Sequence, residues 1–168
     1  MKLIIINGPC GVGKSTLAEQ IHADIPLSFL MDSYAQIRCI SNYQNFGEER
    51  WEMTVAIANS LIDSMLGLGR DVVVDMMVYS SEVLDFFYEI AKRHGAEVHE
   101  ILLTAPRDIV IGRAEKRGWH GGLLSREKVG YIWDRLEGLK ELRDKANLID
   151  TNDREVSEIY TEVKDLIK

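Results

Sequence analysis

The stretch that most constrains this chain is KLIIIN at residues 2–7 followed at once by GPCGVGKS at 8–15 and then by KSTLAEQIHA. A continuous β-branched run such as Leu3–Ile6 reads as a strand buried on both faces. Glycines at 8, 11 and 13 let the backbone behind that strand curl tightly. The residues from Lys14 to Ala23 read as a helix starting where the curl ends. A strand, a curled loop and a helix in this order belong to an α/β fold, and the rest of the chain must supply the sheet.

Four further apolar runs do so. Residues 26–31 (PLSFLM), 71–78 (DVVVDMMV), 97–104 (EVHEILLT) and 147–150 (NLID) read as strands. Between them lie segments of helical period. Met53, Ile57, Leu61 and Met65 form one stripe that stops at GLGR, a glycine end signal. Val83, Phe87 and Ile90 form a second, closed by His94-Gly95. Val129, Ile132, Trp133, Leu136 and Leu139 form another, and Val156, Ile159, Val163 and Leu166 the last. Strands alternating with helix-length crossovers imply a parallel sheet with helices on both faces. No repeat, low-complexity tract or linker divides residues 1–168, which read as a single domain. The stretch 116–125 (KRGWHGGLLS) is the only long connection without an apolar period and reads as mobile.

Positions 8–15 satisfy G-x-x-x-x-G-K-[S/T] at every fixed place. The spacing serves a triphosphate: successive N–H groups line a cradle, lysine reaches the outer phosphates, and the hydroxyl after it ligates Mg²⁺. The helix that follows directs its positive end at the same anion. The cradle then comprises Gly8, Cys10, Gly11, Val12, Gly13, Lys14, Ser15 and Thr16, with ATP and Mg²⁺ as the expected cofactors.

Many activities use such a loop, so the other residues must decide the reaction. A GTPase would carry N-K-x-D and D-x-x-G, and neither string occurs. A hydrolytic motor would end an apolar strand in Asp-Glu, but Asp75 is followed by Met76. Asp32 closes the second strand, where strand ends form the ligand edge of an open parallel sheet. A carboxylate there can take the proton of an attacking hydroxyl, or simply cap the helix beginning near Ser33. Asp75 closes the third strand and is a candidate for contact with Mg²⁺-bound water or with substrate, with a turn or cap role as its alternative. Arg113 and Arg117, four apart, would share a helix face and neutralise charge on a transferred phosphoryl group. Residues 107–128 carry a local charge of +3 in a chain of −7. Residues 113–128 therefore read as a lid that excludes water.

The order of these features resembles the small P-loop kinases of the nucleoside-monophosphate-kinase-like type. Within them it is most similar to the branch of polynucleotide 5′-hydroxyl kinases, chloramphenicol phosphotransferase-like proteins and zeta-toxin-like kinases. The resemblance implies a three-layer P-loop NTPase fold with a five-stranded parallel sheet in order 2-3-1-4-5. It implies Lys14 and Ser15 at the phosphates and Mg²⁺, Asp32 as base, and Arg113 and Arg117 as lid arginines, one of them near the nucleotide. It also implies that residues 150–155 (DTNDRE) lie near the adenine. Polynucleotide kinases follow the aspartate with a basic side chain; here Ala35 stands at that place and no cation comes before Arg38.

The acceptor pocket is expected from residues 33–55. Tyr34, Tyr43, Trp51, Asn42, Gln44 and Asn45 suit a neutral polyhydroxyl or aromatic molecule better than a strongly anionic one, although Tyr43 and Trp51 also read as packing residues. The acidic balance, 20 Lys+Arg against 27 Asp+Glu, disfavours nucleic acid as a partner. His120 is the one histidine worth testing; His22, His94 and His99 have no metal-ligand spacing. Cys10 reads as a small filler, and a disulfide would obstruct the loop, which points to a reducing compartment. With no signal layout and no membrane-length apolar run, the expectation is a cytoplasmic protein that phosphorylates a small-molecule hydroxyl. A nucleic-acid 5′-hydroxyl kinase and a non-catalytic nucleotide-binding module are the alternatives.

Overall fold

The computed structural model describes residues 1–168. Five strands, β1 (Lys2–Asn7), β2 (Phe29–Asp32), β3 (Val72–Asp75), β4 (Glu97–Thr104) and β5 (Asn147–Asp150), form one sheet in the order β2-β3-β1-β4-β5. All four pairings are parallel. The helices are α1 (Lys14–Asp24), α2 (Ser33–Ile37), α3 (Glu48–Gly67), α4 (Ser81–His94), α5 (Arg107–Lys116), α6 (Trp119–Gly122), α7 (Arg126–Lys140) and α8 (Val156–Leu166). A 3-10 turn covers Tyr43–Asn45.

β1 lies at the centre, and the alternation of its side chains divides the core. Ile4 and Ile6 face one cluster with Leu17 and Ile21 of α1, Val110 of α5 and Val163 of α8. Leu3 and Ile5 face the other, with Ile62 of α3, Phe87 of α4 and Leu136 of α7. A strand with period-two side chains and cover on both sides explains why Leu3–Ile6 carries no polar residue. The three-layer arrangement and strand order are those implied by the family resemblance.

Two strands are shorter than the apolar runs suggested. The first turn of the 26–31 run is not strand: Leu27 has a left-handed φ of 60° and is exposed, and pairing begins only at Phe29. In the 71–78 run the ladder register ends at Asp75, and beyond it Met76 and Val78 remain buried while Val78 pairs with the Asn7 side chain. Both changes place Asp32 and Asp75 as terminal residues of neighbouring strands. No helix is long and apolar enough to cross a membrane.

Candidate active site

The site is built at the carboxyl edge of the sheet, where β1 gives way to the glycine loop. Asn7, the last residue of β1, is fully buried and fastens this corner. Its Oδ1 accepts from the Gly8 N–H at 2.8 Å and the Val78 N–H at 2.9 Å, while its Nδ2 donates to the Val78 carbonyl at 2.8 Å. The loop is thus tied to the connection following β3. The sequence reading gave Asn7 no role, since its partner is 71 residues away.

The loop itself needs its glycines. Gly8 has φ +139°, and a Cβ there would lie 2.4 Å from the Leu103 carbonyl oxygen. Gly11 has φ +86°, and its Cβ would lie 2.9 Å from the Arg113 Cβ, so α5 rests directly on the loop. Gly13, at φ +99°, opens α1 with free space on its α-carbon. Cys10 and Val12 turn into the core. Both cysteines are free, Cys10 buried and Cys39 exposed. Burial pushes the Cys10 thiol up, against the smaller opposite pull of Lys14 and Arg117.

Lys14 folds back over the loop, its Nζ donating to the Pro9 carbonyl at 3.0 Å. Desolvation lowers its pKa, with the Asp75 carboxylate pulling the other way. Asp75 is the mirror case: burial raises its pKa, while Lys14 and the Ser15 hydroxyl lower it and Asp32 raises it further. Ser15 and Thr16 are exposed at the mouth.

Asp32 and Asp75 are register partners on adjacent strands. The capping role weighed for Asp32 is present: its Oδ1 accepts from the N–H groups of Tyr34 (2.8 Å) and Ala35 (3.1 Å). Both bonds go to the same oxygen, which orients the carboxylate and leaves Oδ2 available. A cap of this kind is therefore compatible with proton transfer.

The two arginines separate. Arg113 is half-buried in α5 and donates to Thr151, from Nη1 to Oγ1 and from Nη2 to the carbonyl, each at 3.3 Å. Thr151 is itself buried and bonded to the Thr104 carbonyl. Arg113 is thereby part of a fixed wall joining α5 to the segment after β5. Arg117 follows the last residue of α5 as its C-cap and is exposed. Its charge nevertheless reaches Cys10, Lys14 and His120.

The donor set suits Mg²⁺ arriving with a nucleotide. No cluster of three metal-ligating side chains exists, and Mg²⁺ is usually held by one or two carboxylates together with substrate phosphates and water. The Ser15 hydroxyl and the Asp75 carboxylate, brought together at the loop mouth, fit that pattern.

On the opposite side, Trp51 of α3 stacks on Tyr79 with centroids 5.4 Å apart and an interplanar angle of 13°. Both pack on the core, so Trp51 is partly a packing residue. Arg50 Nη1 donates to the Tyr43 carbonyl at 2.9 Å, and Lys128 Nζ to the Leu123 carbonyl at 3.1 Å.

A buried strand, a glycine cradle with its lysine, and paired strand-end carboxylates define a P-loop nucleotide-binding protein with the fold of the small nucleoside-monophosphate-kinase-like kinases. The chain belongs to the AAA domain family, whose profile matches residues 3–138. No curated protein matches its sequence. Among solved structures, it resembles the tunicamycin resistance protein of Deinococcus radiodurans at TM-score 0.68 and 19% identity, covering 99% of this chain and 96% of that one. A gluconokinase from Sinorhizobium meliloti 1021 matches at TM-score 0.70 and 18% identity, over 99% and 91% of the two chains. A sugar kinase from Janibacter sp. HTCC2649 matches at TM-score 0.74 and 16% identity, over 99% and 94%. At these identities the likeness carries the fold.

Proposed function

We propose that the protein is an ATP- and Mg²⁺-dependent phosphotransferase acting on a hydroxyl group of a small molecule. The observation that carries this reading is the Asp32 carboxylate: it ends β2 in register with Asp75, with one oxygen fixed by the cap and the other free.

In the proposed reaction the loop N–H groups and Lys14 bind the β- and γ-phosphates. Ser15 and Asp75 would hold Mg²⁺, which neutralises charge on the phosphate oxygens when bound. Asp32 Oδ2 accepts the proton as the acceptor oxygen bonds to the γ-phosphorus and the bond to the β–γ bridging oxygen breaks. Arg117 balances charge on the moving group, and Arg113 stands on the nucleotide side, beside residues 150–155. Catalysis is then positioning and electrostatic stabilisation.

The acceptor is a small polyhydroxylated molecule, a class in keeping with the gluconokinase and sugar kinase among the similar folds. Arg50 and Lys128, which bond only backbone carbonyls here, would also match an acidic group on it. The sequence reading, made from aromatic and amide side chains alone, favoured a neutral acceptor.

The test is transfer of labelled γ-phosphate from ATP to a panel of sugars, sugar acids, nucleosides, antibiotics and a 5′-hydroxyl oligonucleotide, with wild type and Asp32→Asn. A labelled product that falls by about a hundredfold or more in the variant is expected, the scale of a lost general base. Transfer that survives the substitution, or acceptor-free hydrolysis alone, would sink the reading.

A further inference from the structure

The connection after α5 has an unusual backbone. Gly118, Trp119, His120, Gly121 and Gly122 all have positive φ, between 50° and 88°. Three are glycines, but Trp119 and His120 are L-residues with a Cβ that crowds the following carbonyl in this region. Such conformations persist where the surroundings over-determine them, and they concentrate at functional sites.

The surroundings that hold this turn lie on two sides. Trp119 packs on the core cluster that contains Ile4, Ile6 and the loop residues Cys10 and Val12. His120 points elsewhere, its ring edge-on to Tyr34 with centroids 5.4 Å apart at 69°. Tyr34 is in the first turn of α2, and its N–H is one of the two that hold Asp32. The turn therefore bridges the nucleotide half of the site and the acceptor half, touching the latter two residues from the candidate base.

We propose that the His120–Tyr34 contact is a latch that fastens the lid to the acceptor-side helix, so that both are positioning residues for transfer. Its role in transfer rests on the phosphotransferase reading; the latch itself does not. The left-handed turn supplies the geometry, since a right-handed turn would carry the His120 side chain to another side. With the latch fastened, Arg117 is held over the loop and water is kept from the γ-phosphate. Loss of the ring on either side frees the lid without disturbing the Asp32 cap, which uses backbone N–H groups.

Trypsin reads the latch without an acceptor. Its sites at Arg117 and Arg126 are exposed and flank the turn. Cleavage there would be timed in the free full-length protein for wild type, His120→Asn, Tyr34→Leu, Tyr34→Phe and the His120→Asn/Tyr34→Leu double variant. Asparagine tolerates the left-handed region but has no aromatic ring. His120→Asn and Tyr34→Leu should each speed cleavage by about two- to tenfold, the range of an edge-to-face aromatic pair. The double variant should be no faster than the faster single one, and Tyr34→Phe should match wild type. Thermal midpoints report whether global stability has changed, and His120→Gly serves as a second ring-deleting variant that the backbone accepts. An unchanged rate in either single variant, additive effects in the double, or Tyr34→Phe as fast as Tyr34→Leu would overturn the latch. A protein with an intact latch by these criteria that transfers phosphate to no acceptor would count against the phosphotransferase reading alone.

Discussion

Single atoms decide what the glycine loop accepts. At Gly8 a β-carbon meets the Leu103 carbonyl oxygen at 2.4 Å, a backbone atom of the neighbouring strand that cannot step aside. Gly8→Ala should therefore lower folding stability by about 3 kcal/mol, combining an unfavourable φ with a core clash. An unfolding free energy from urea titration within about 0.5 kcal/mol of wild type would contradict this. Gly13 differs, for its φ is also positive but the space beside it is open. Gly13→Ala should lose only about 1 kcal/mol of stability yet more than about tenfold in ATP affinity, because that open space belongs to the cradle. Cys10 makes a second contrast. Burial raises its thiol pKa despite two nearby cations, and thiols react as thiolates. Iodoacetamide should label the exposed Cys39 alone in the native protein and both cysteines in urea, read as one and two mass increments.

The elements are held together by contacts of very different reach. Glu100, in the middle of β4, is 1% exposed and pairs with Arg143 at 2.7 Å. Arg143 also pairs with Asp85 of α4 and lies 5.0 Å from the Tyr88 ring centroid, while the Tyr88 hydroxyl donates to Glu100 at 3.0 Å. This network joins β4, α4 and the segment leading into β5. Arg143→Met should destabilise by about 3–5 kcal/mol, since it leaves a buried carboxylate without its partner; Arg143→Met with Glu100→Gln should recover part of that loss. Burial and the Glu100 charge raise the Tyr88 pKa from 10.0 to about 12. A group raised on folding contributes stability that is full below its unfolded pKa and is lost as pH rises through the folded one. The urea midpoint should accordingly fall between about pH 10 and 12, and Tyr88→Phe should flatten that limb. The apolar period of α7 was readable because the residues that set it are the ones that pack, as are Phe87 and Ile90 of α4 and Ile159 and Val163 of α8. In α3 the buried face is Thr54, Ala58, Ile62 and Leu66, one position on from the stripe of Met53, Ile57, Leu61 and Met65, and Met53 is exposed. Strand ends were less readable: Pro26–Ser28 and Met76–Val78 are apolar enough to extend a run, and only the left-handed Leu27 and the departure from the ladder end it. The phosphate loop was legible because its demands fall within eight neighbouring positions. Asn7 with Val78, Arg113 with Thr151 and His120 with Tyr34 left no such trace, since each joins residues far apart in the chain.

Across the molecule the candidate site gathers charges that fit poorly together. Lys14 is desolvated and stands near Arg117, and Asp75 is buried beside Lys14 with Asp32 as its register neighbour. The folded state disfavours the charged lysine, so a polyanion seated in the cradle removes an unfavourable interaction as well as adding hydrogen bonds. A ligand that binds only the native state stabilises it by RT ln(1 + [L]/Kd), about 2.7 kcal/mol at a hundredfold excess over Kd. For a domain of this size each kcal/mol moves the thermal midpoint by roughly 2–4 °C, so Mg²⁺-ATP should raise it by about 5–10 °C. Lys14→Ala separates the two contributions. It removes the desolvated cation and also the charge that offsets the burial of Asp75, so its ligand-free midpoint should stay close to wild type, while the shift with Mg²⁺-ATP should vanish. A variant that melts well below wild type would mean that Lys14 supports the fold rather than straining it. A ligand shift that survives in Lys14→Ala would place the triphosphate away from the glycine loop and, with it, the site proposed for transfer.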